Sequence, residues 1–312
     1  MTASMTEGYP QCVEFLQWAL PRLGLRWGGF RKVRRQVCRR LRRRCAELGL
    51  PDFAAYQAYL ERQPGEWTVL ESLTHITISR FNRDRSAFAF LASDVLPALA
   101  ARGADALRVW SAGCASGEEA YTLAITWRLR LAADFPAVRI RILATDVDDA
   151  MLTRARRACY PPGSLRELHE AWHAVAFVER DGQRCVRDEF TQAVTLARHD
   201  IRSAPPVGPF DLVMCRNLAF TYFDVEGQHA AAARLAGVVR PGGALVLGKH
   251  ETLPAGVEAF EPWSDAERIY RRTAGIRMIP SLGSPAAECS PSSPINPVSA
   301  PSAASTRSDD SS

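Results

Sequence analysis

The stretch Leu107–Ala112, followed by Gly113-Cys114-Ala115-Ser116-Gly117-Glu118-Glu119, limits the fold of this chain more than any other feature. A short apolar run predicts a strand. Two glycines four residues apart let the backbone turn sharply and come close to a ligand. An acidic pair then opens a helix, whose free N–H groups point back over the turn. Strand, glycine turn and helix in that order begin an α/β unit. The spacing is Gly-x-x-x-Gly, not the Gly-x-Gly-x-x-Gly of dinucleotide sites, and no Walker lysine follows. A nucleoside triphosphate is therefore disfavoured.

The next apolar run, Ile142-Leu143-Ala144-Thr145-Asp146, ends in an acid. An acid at such a strand end accepts hydrogen bonds from both ribose hydroxyls. Taken singly, a glycine turn is as readily a packing turn, and such an acid is often only a helix cap. One after the other, they favour an adenosine-containing cofactor without a pyrophosphate, which points to S-adenosylmethionine.

Apolar runs and helical patterns keep alternating from about residue 76 to 275, which predicts a parallel α/β sheet. Further strands are expected over Arg139–Thr145, Ala193–Ala197, Phe210–Cys215 and Ala244–Gly248, with helices over Glu118–Ala133, Asp149–Arg156 and Glu226–Val239. Residues 160–194 differ in character. Trp172, Val175 and Phe177, then Arg184–Val186 beyond the Asp181-Gly182 turn, predict short antiparallel strands in an inserted β-subdomain.

Residues 1–75 read as a basic helical domain. Arg31, Lys32, Arg34, Arg35, Arg39, Arg40, Arg42, Arg43 and Arg44 crowd one stretch, while Val33, Val37, Leu41, Cys45 and Leu48 recur every three or four residues. That period marks an amphipathic helix with one apolar stripe and one basic face. Gly49 and Pro51 end it, Asp52 caps a second helix carrying Phe53, Tyr56 and Leu60, and Trp67, Leu70 and Leu73 suggest a third. The net charge of +5 is thus concentrated rather than spread. Such a face is either simply solvated or attracts an acidic partner or nucleic acid. Few aromatics interleave with the arginines, which disfavours stacking on single strands.

Residues 276–312 are rich in Ser, Pro and Ala, and are expected to be a disordered tail. The N-terminus lacks a cationic start followed by an apolar stretch, and no run reaches the roughly 18 apolar residues of a membrane helix. A cytoplasmic protein without membrane insertion is expected. The 8 cysteines form no Cys-x-x-Cys pair, and no histidine cluster stands beside them at zinc spacing. Free thiols and no metal are the expectation. No nucleophile–base arrangement is evident.

Several motifs together resemble the CheR family of chemotaxis protein methyltransferases. Val109-Trp110-Ser111-Ala112-Gly113-Cys114-Ala115-Ser116-Gly117-Glu118-Glu119-Ala120-Tyr121 is similar to the family's first motif, and Ala144-Thr145-Asp146-Val147-Asp148 to its second. Phe210-Asp211-Leu212-Val213-Met214-Cys215-Arg216-Asn217, then Tyr222-Phe223-Asp224, resembles its "FD-x-x-x-CRN" segment. Pro241-Gly242-Gly243 and Gly248-Lys249-His250-Glu251 match its late strand.

The resemblance implies a Rossmann-like S-adenosylmethionine methyltransferase sheet, a helical N-terminal domain and a small antiparallel subdomain. It implies methyl transfer to glutamates of chemoreceptor helices, with the basic helix docking on the acidic methylation region; a monomer is expected. It places Thr77, Ser79, Arg83, Gly113, Ala115, Glu118, Glu119, Asp146, Asp200, Ile201, Asn217 and Leu218 at the cofactor, and Arg83 and Tyr222 in catalysis. Either Glu118 or Glu119 would take the cofactor amino group, and Asp200 the adenine amino group.

The chain departs from the family at three points. The junction segment reads Thr77-Ile78-Ser79-Arg80-Phe81-Asn82-Arg83-Asp84, without the family's first Asn and second Phe. One extra residue precedes Tyr222, and Asp200-Ile201 stands where Asn-Leu is usual. These changes leave open a different acceptor, protein or RNA, or a non-catalytic cofactor-binding module.

Overall fold

The alternation of apolar runs becomes, in the computed structural model, ten strands among the described residues 8–274. They are β1 Ala106–Ala112, β2 Arg139–Asp146, β3 Cys159–Tyr160, β4 Phe177–Arg180, β5 Gln183–Val186, β6 Val194–Arg198, β7 Phe210–Met214, β8 Val239–Val246, β9 Phe260–Ser264 and β10 Ile269–Arg272. The expected tail lies outside the described residues.

Seven strands form one sheet in the order β6-β2-β1-β7-β8-β10-β9. The first five are parallel neighbours, and β10 pairs antiparallel with both β8 and β9. The chain moves outward from β1 through β2 to β6, then returns to the other side of β1 with β7. That reversal opens a crevice at the carboxyl ends of β1 and β7, where ligands of open α/β sheets sit. Apolar clusters with helices cover the sheet on both sides, so all five residues of β7, Asp211 included, and the last four of β1 are buried.

Helix Glu118–Thr126 follows the glycine turn and continues as a wider π turn over Trp127–Leu131, so the expected single α-helix changes pitch midway. Helices Asp149–Arg157 and Val225–Val238 lie close to the expected spans. β8 starts at Val239, earlier than expected, because Pro241-Gly242-Gly243 is carried within the strand. Strands β9 and β10 and the helical stretch 85–100 were not evident in the sequence.

Strands β3, β5 and β4 form the separate antiparallel sheet. The Asp181-Gly182 turn joins β4 to β5 as read from the sequence, with both residues at positive φ. Trp172 and Val175 lie in helix Glu170–Ala176, not in a strand. His169 caps that helix through Nδ1, accepting from Ala171 N at 3.2 Å.

The basic stretch folds as helix Arg34–Glu47, burying Val37, Cys38, Leu41 and Cys45 on its apolar stripe. Gly49 closes it in the left-handed region at φ +67°, where the Leu50 N–H returns to the Cys45 carbonyl. Asp52 caps helix Phe53–Arg62 by accepting from Ala55 N at 2.8 Å. Helix Glu66–Thr74 is held by Arg44, whose Nε and Nη2 donate to the buried Glu66 carboxylate at 2.9 and 2.8 Å. Those bonds hold the Glu66 carboxyl below the usual range. An unanticipated first helix, Gly8–Arg22, packs against this layer. One apolar cluster runs from Leu16, Leu41 and Leu70 to Trp110, Val213 and Leu245 of the sheet, so helical layer and sheet share a core.

The expectation of free thiols is corrected. Cys12 and Cys38 are disulfide-bonded between two packed helices, and Cys159 and Cys185 between directly paired positions of β3 and β5. Each pair is 26 residues apart. Only tertiary packing brings them together, and no local spacing signals it. Among the described residues, Cys45, Cys114 and Cys215 remain as buried thiols. No described helix is long and apolar enough to cross a membrane.

Candidate active site

At the carboxyl end of β1 the chain makes the turn the glycines allow. Gly113 and Gly117 take φ +78° and +91°, and Ala115 joins them at +47°. The Gly113 and Cys114 N–H groups donate to the Thr145 carbonyl at 2.8 and 2.9 Å, which binds the turn to the end of β2. Ala115 N donates to Asp146 Oδ2 at 2.8 Å, and Asp148 N to Oδ1 at 3.0 Å. Each carboxylate oxygen keeps a further lone pair for a ligand hydroxyl. Burial raises the Asp146 pKa above the usual 3.8, and the two N–H bonds only partly oppose it.

A cleft with an empty volume of about 1460 Å³, counting space open to solvent, lies over these strand ends. The residues nominated from sequence converge on it: Thr77, Ser79, Arg83, Gly113, Ala115, Glu119, Asp146, Asp200, Ile201, Asn217, Leu218 and Tyr222 all line it. Glu118 does not. It is buried away from the cleft, accepting from Ser116 Oγ at 2.8 Å, so of the acidic pair only Glu119 faces a ligand there.

Glu119 is anchored at both oxygens. Ser111 Oγ donates to Oε1 at 2.7 Å and Arg216 Nη1 to Oε2 at 3.1 Å. Arg216, inside the Cys-Arg-Asn segment, also lines the cleft, and no local spacing signals that role. Its side chain is only 3% exposed, and it also pairs with Asp84 and donates to the Arg83 carbonyl at 3.0 Å. It thus fixes the junction segment to the glycine-turn helix. Arg83 itself donates to the Ile78 carbonyl at 2.8 Å and to Asn217 Oδ1 at 3.1 Å.

The junction departure at residue 82 has a structural basis. Asn82 sits in the left-handed region at φ +53°, which suits a short amide. Its Nδ2 donates to the Glu167 carbonyl at 2.8 Å.

The loop after β7 is organised by Glu251 of the Gly-Lys-His-Glu segment. Oε2 of this buried carboxylate accepts from Asn217 N at 2.6 Å and Gly248 N at 2.7 Å. Oε1 accepts from Leu218 N at 3.1 Å and Thr221 Oγ1 at 2.6 Å. Gly248 is required here, because an added Cβ would lie 2.8 Å from Glu251 Oε2.

The helical layer grips the same loop from outside. Arg26 donates to the Thr221 and Phe220 carbonyls at 3.0 and 2.6 Å, and its backbone N to the Tyr222 carbonyl at 2.8 Å. A Cβ on Gly29 would run into the Thr221 carbonyl. Tyr222 therefore reaches the cleft despite the extra residue before it, with Phe30 5.0 Å from its ring. Burial pushes its phenol up to about 12, so the hydroxyl stays protonated at neutral pH.

These groups fit an adenosyl ligand with an amino-acid end. Turn glycines and the strand-end Asp146 suit the ribose side, Asp200 suits a base amino group, and Glu119 suits an ammonium. A doubly wound sheet with this chemistry at its switch point defines an S-adenosylmethionine-dependent methyltransferase.

The chain belongs to the CheR methyltransferase family: residues 77–269 match its SAM binding domain and residues 32–73 its all-alpha domain. A chemotaxis protein methyltransferase of Listeria innocua is 36% identical over 182 residues, covering 58% of this chain and 68% of that one. A probable chemotaxis protein methyltransferase of Rhizobium etli is 33% identical over 224 residues, covering 69% and 83%. An uncharacterized 104.1 kDa protein of Rhodobacter capsulatus is 36% identical over 239 residues, 75% of this chain but only 25% of its own length.

Proposed function

We propose that this protein methylates glutamate side chains on an acidic helical region of a chemoreceptor, acting in the cytoplasm as a monomer. One observation carries the choice of an acidic protein acceptor. Arg39, Arg40, Arg43 and Arg44 of helix Arg34–Glu47 outnumber Glu47 and Asp148 around a second hollow, and His75 and Thr77 line both that hollow and the cofactor cleft. A helix held by the arginine face would therefore lie beside the cleft mouth, and opposite charge would speed its arrival.

S-adenosylmethionine supplies the electrophilic methyl group when bound. A glutamate acceptor has a reference pKa of about 4.3, so it is already a nucleophile at neutral pH and needs no base. The protein's work is alignment and exclusion of water. Glu119 would hold the ammonium of the amino-acid end, and Asp146 would accept from the ribose hydroxyls. Arg83, aimed by Asn217, holds a carboxylate by paired hydrogen bonds. The protonated Tyr222 hydroxyl orients the acceptor oxygen.

Incubation with tritiated S-adenosylmethionine and a purified receptor cytoplasmic fragment tests this reading. Base-labile label on the fragment supports it. Label on RNA, base-stable label on protein, or no transfer to any component of a cell extract overturns it.

A further inference from the structure

The strand order fixes what lies where along the cleft. β1 ends at the glycine turn, its neighbour β2 at Asp146, and β6, on the far side of β2, runs into Asp200. Adjacent strands are about 4.8 Å apart. A ligand with its ribose on Asp146 therefore carries its base one strand further out, over Asp200.

Asp200 is not held there alone. Arg202 Nε donates to Oδ1 and Oδ2, each at 3.1 Å, and Nη2 to Oδ2 at 2.7 Å. The Arg202 backbone N adds a bond to Oδ1 at 2.9 Å. The remaining nitrogen, Nη1, forms an ion pair with Glu71 of helix Glu66–Thr74. Arg202 and Glu71 line the same cleft as Asp200. One guanidinium thus ties the base side of the cleft to the helical domain.

The residue type matters chemically. An asparagine here offers either a donor or an acceptor by turning its amide, whereas this carboxylate, with three Arg202 hydrogens (the Nε one shared by both oxygens) on its roughly four lone-pair sites, offers only the lone pair that remains. It complements an exocyclic amino group and repels a carbonyl oxygen. Burial by itself would raise the Asp200 pKa, but the Arg202 bonds and charge outweigh it and hold the group below the usual range.

We infer that Arg202 is a positioning residue that fixes Asp200 as an acceptor-only reader of the purine 6-amino group, and that its ion pair with Glu71 makes this selectivity depend on the helical domain. The inference rests on the S-adenosylmethionine reading of the cleft.

Calorimetric titration of the full chain with S-adenosylhomocysteine and with its hypoxanthine counterpart, S-inosylhomocysteine, tests it. The wild type should prefer the adenine compound roughly 100-fold, since a site built to accept an N–H strongly rejects a carbonyl. Arg202→Met should reduce that ratio to about tenfold or less, and Arg202→Lys, which keeps the charge but not the fork, should fall between. Asp200→Asn should bring the ratio near one, because its amide can turn to donate. Glu71→Gln should lower the ratio about threefold, the scale of a partly exposed ion pair. A wild-type ratio in both Arg202 variants overturns the positioning role, with Arg202→Lys deciding the matter if circular dichroism shows Arg202→Met unfolded. A wild-type ratio in Glu71→Gln overturns the link to the helical domain. Equal wild-type affinity for the two compounds overturns the whole inference while leaving the cofactor reading intact, whereas binding of neither overturns the cofactor reading itself.

Discussion

Replacing Glu251 with alanine removes the acceptor for three backbone N–H groups, those of Asn217, Leu218 and Gly248, and for the Thr221 hydroxyl. The hydroxyl can rotate to another partner, and water entering the vacated volume can satisfy one N–H. Two orphaned donors at about 2 kcal/mol each give a loss of about 4 kcal/mol. For a domain of this size each kcal/mol shifts the melting temperature by about 2–4 °C, so a drop of about 10 °C is expected. Glu251→Gln should cost less. Its carbonyl can take the Oε2 position and keep Asn217 N and Gly248 N, while its amide faces Thr221, whose hydroxyl can turn to accept. Only Leu218 N is then orphaned, for about 2 kcal/mol. Both variants loosen the loop that presents Asn217 and Leu218, so S-adenosylhomocysteine should bind about tenfold more weakly to the alanine variant. Thermal unfolding by circular dichroism, paired with calorimetry, reads both effects. Equal melting temperatures in wild type and Glu251→Ala, within about 2 °C, would refute the assignment of these four bonds as the organiser of the loop.

Arg83→Ala should lower turnover about 10- to 100-fold at saturating cofactor, because a charge-assisted pair of hydrogen bonds is lost; radiolabel transfer kinetics measure it. Tyr222→Phe keeps the ring beside Phe30 but removes the hydroxyl, so kcat should fall about tenfold with S-adenosylhomocysteine affinity unchanged. Arg39→Glu with Arg43→Glu should raise KM for the receptor fragment steeply and flatten its salt dependence, leaving kcat intact, in assays across ionic strength. The Asp146 pKa is raised by burial above 3.8, so protonation begins at higher pH than in a free aspartate. S-adenosylhomocysteine affinity should therefore weaken as pH falls from 7 toward that window, by up to about tenfold per pH unit inside it, and Asp146→Asn should flatten the slope. Apo stability moves oppositely, since a raised carboxyl pKa makes its ionised form costly in the folded state and acidification relieves that cost.

The glycine turn, Asp146 and the alternation of β1, β2, β6 and β7 were legible because each depends on a local pattern, an apolar run with a turn or an acid at its end. The arginine helix was legible for the same reason, through its period and its glycine stop. Other contacts were silent because they join residues far apart in the chain. Arg26 clamps a loop almost 200 positions away, and no spacing rule announces it. Cys12 meets Cys38 only across packed helices. Trp172 and Val175 looked strand-like by composition, yet the His169 cap starts a helix there. Glu118 and Glu119 are adjacent and alike in sequence, but helical rotation turns one inward onto Ser116 and the other to the cleft. Arg216 lines the cleft and Glu251 holds the loop beside it, each through hydrogen bonds converging on a buried charge, which a sequence does not display.

A crystal structure of the full chain with S-adenosylhomocysteine should show the ribose hydroxyls on Asp146, the amino-acid end beside Glu119 and the purine over Asp200. Ligand density elsewhere on the chain, or a ribose placed away from Asp146, would contradict the cofactor reading.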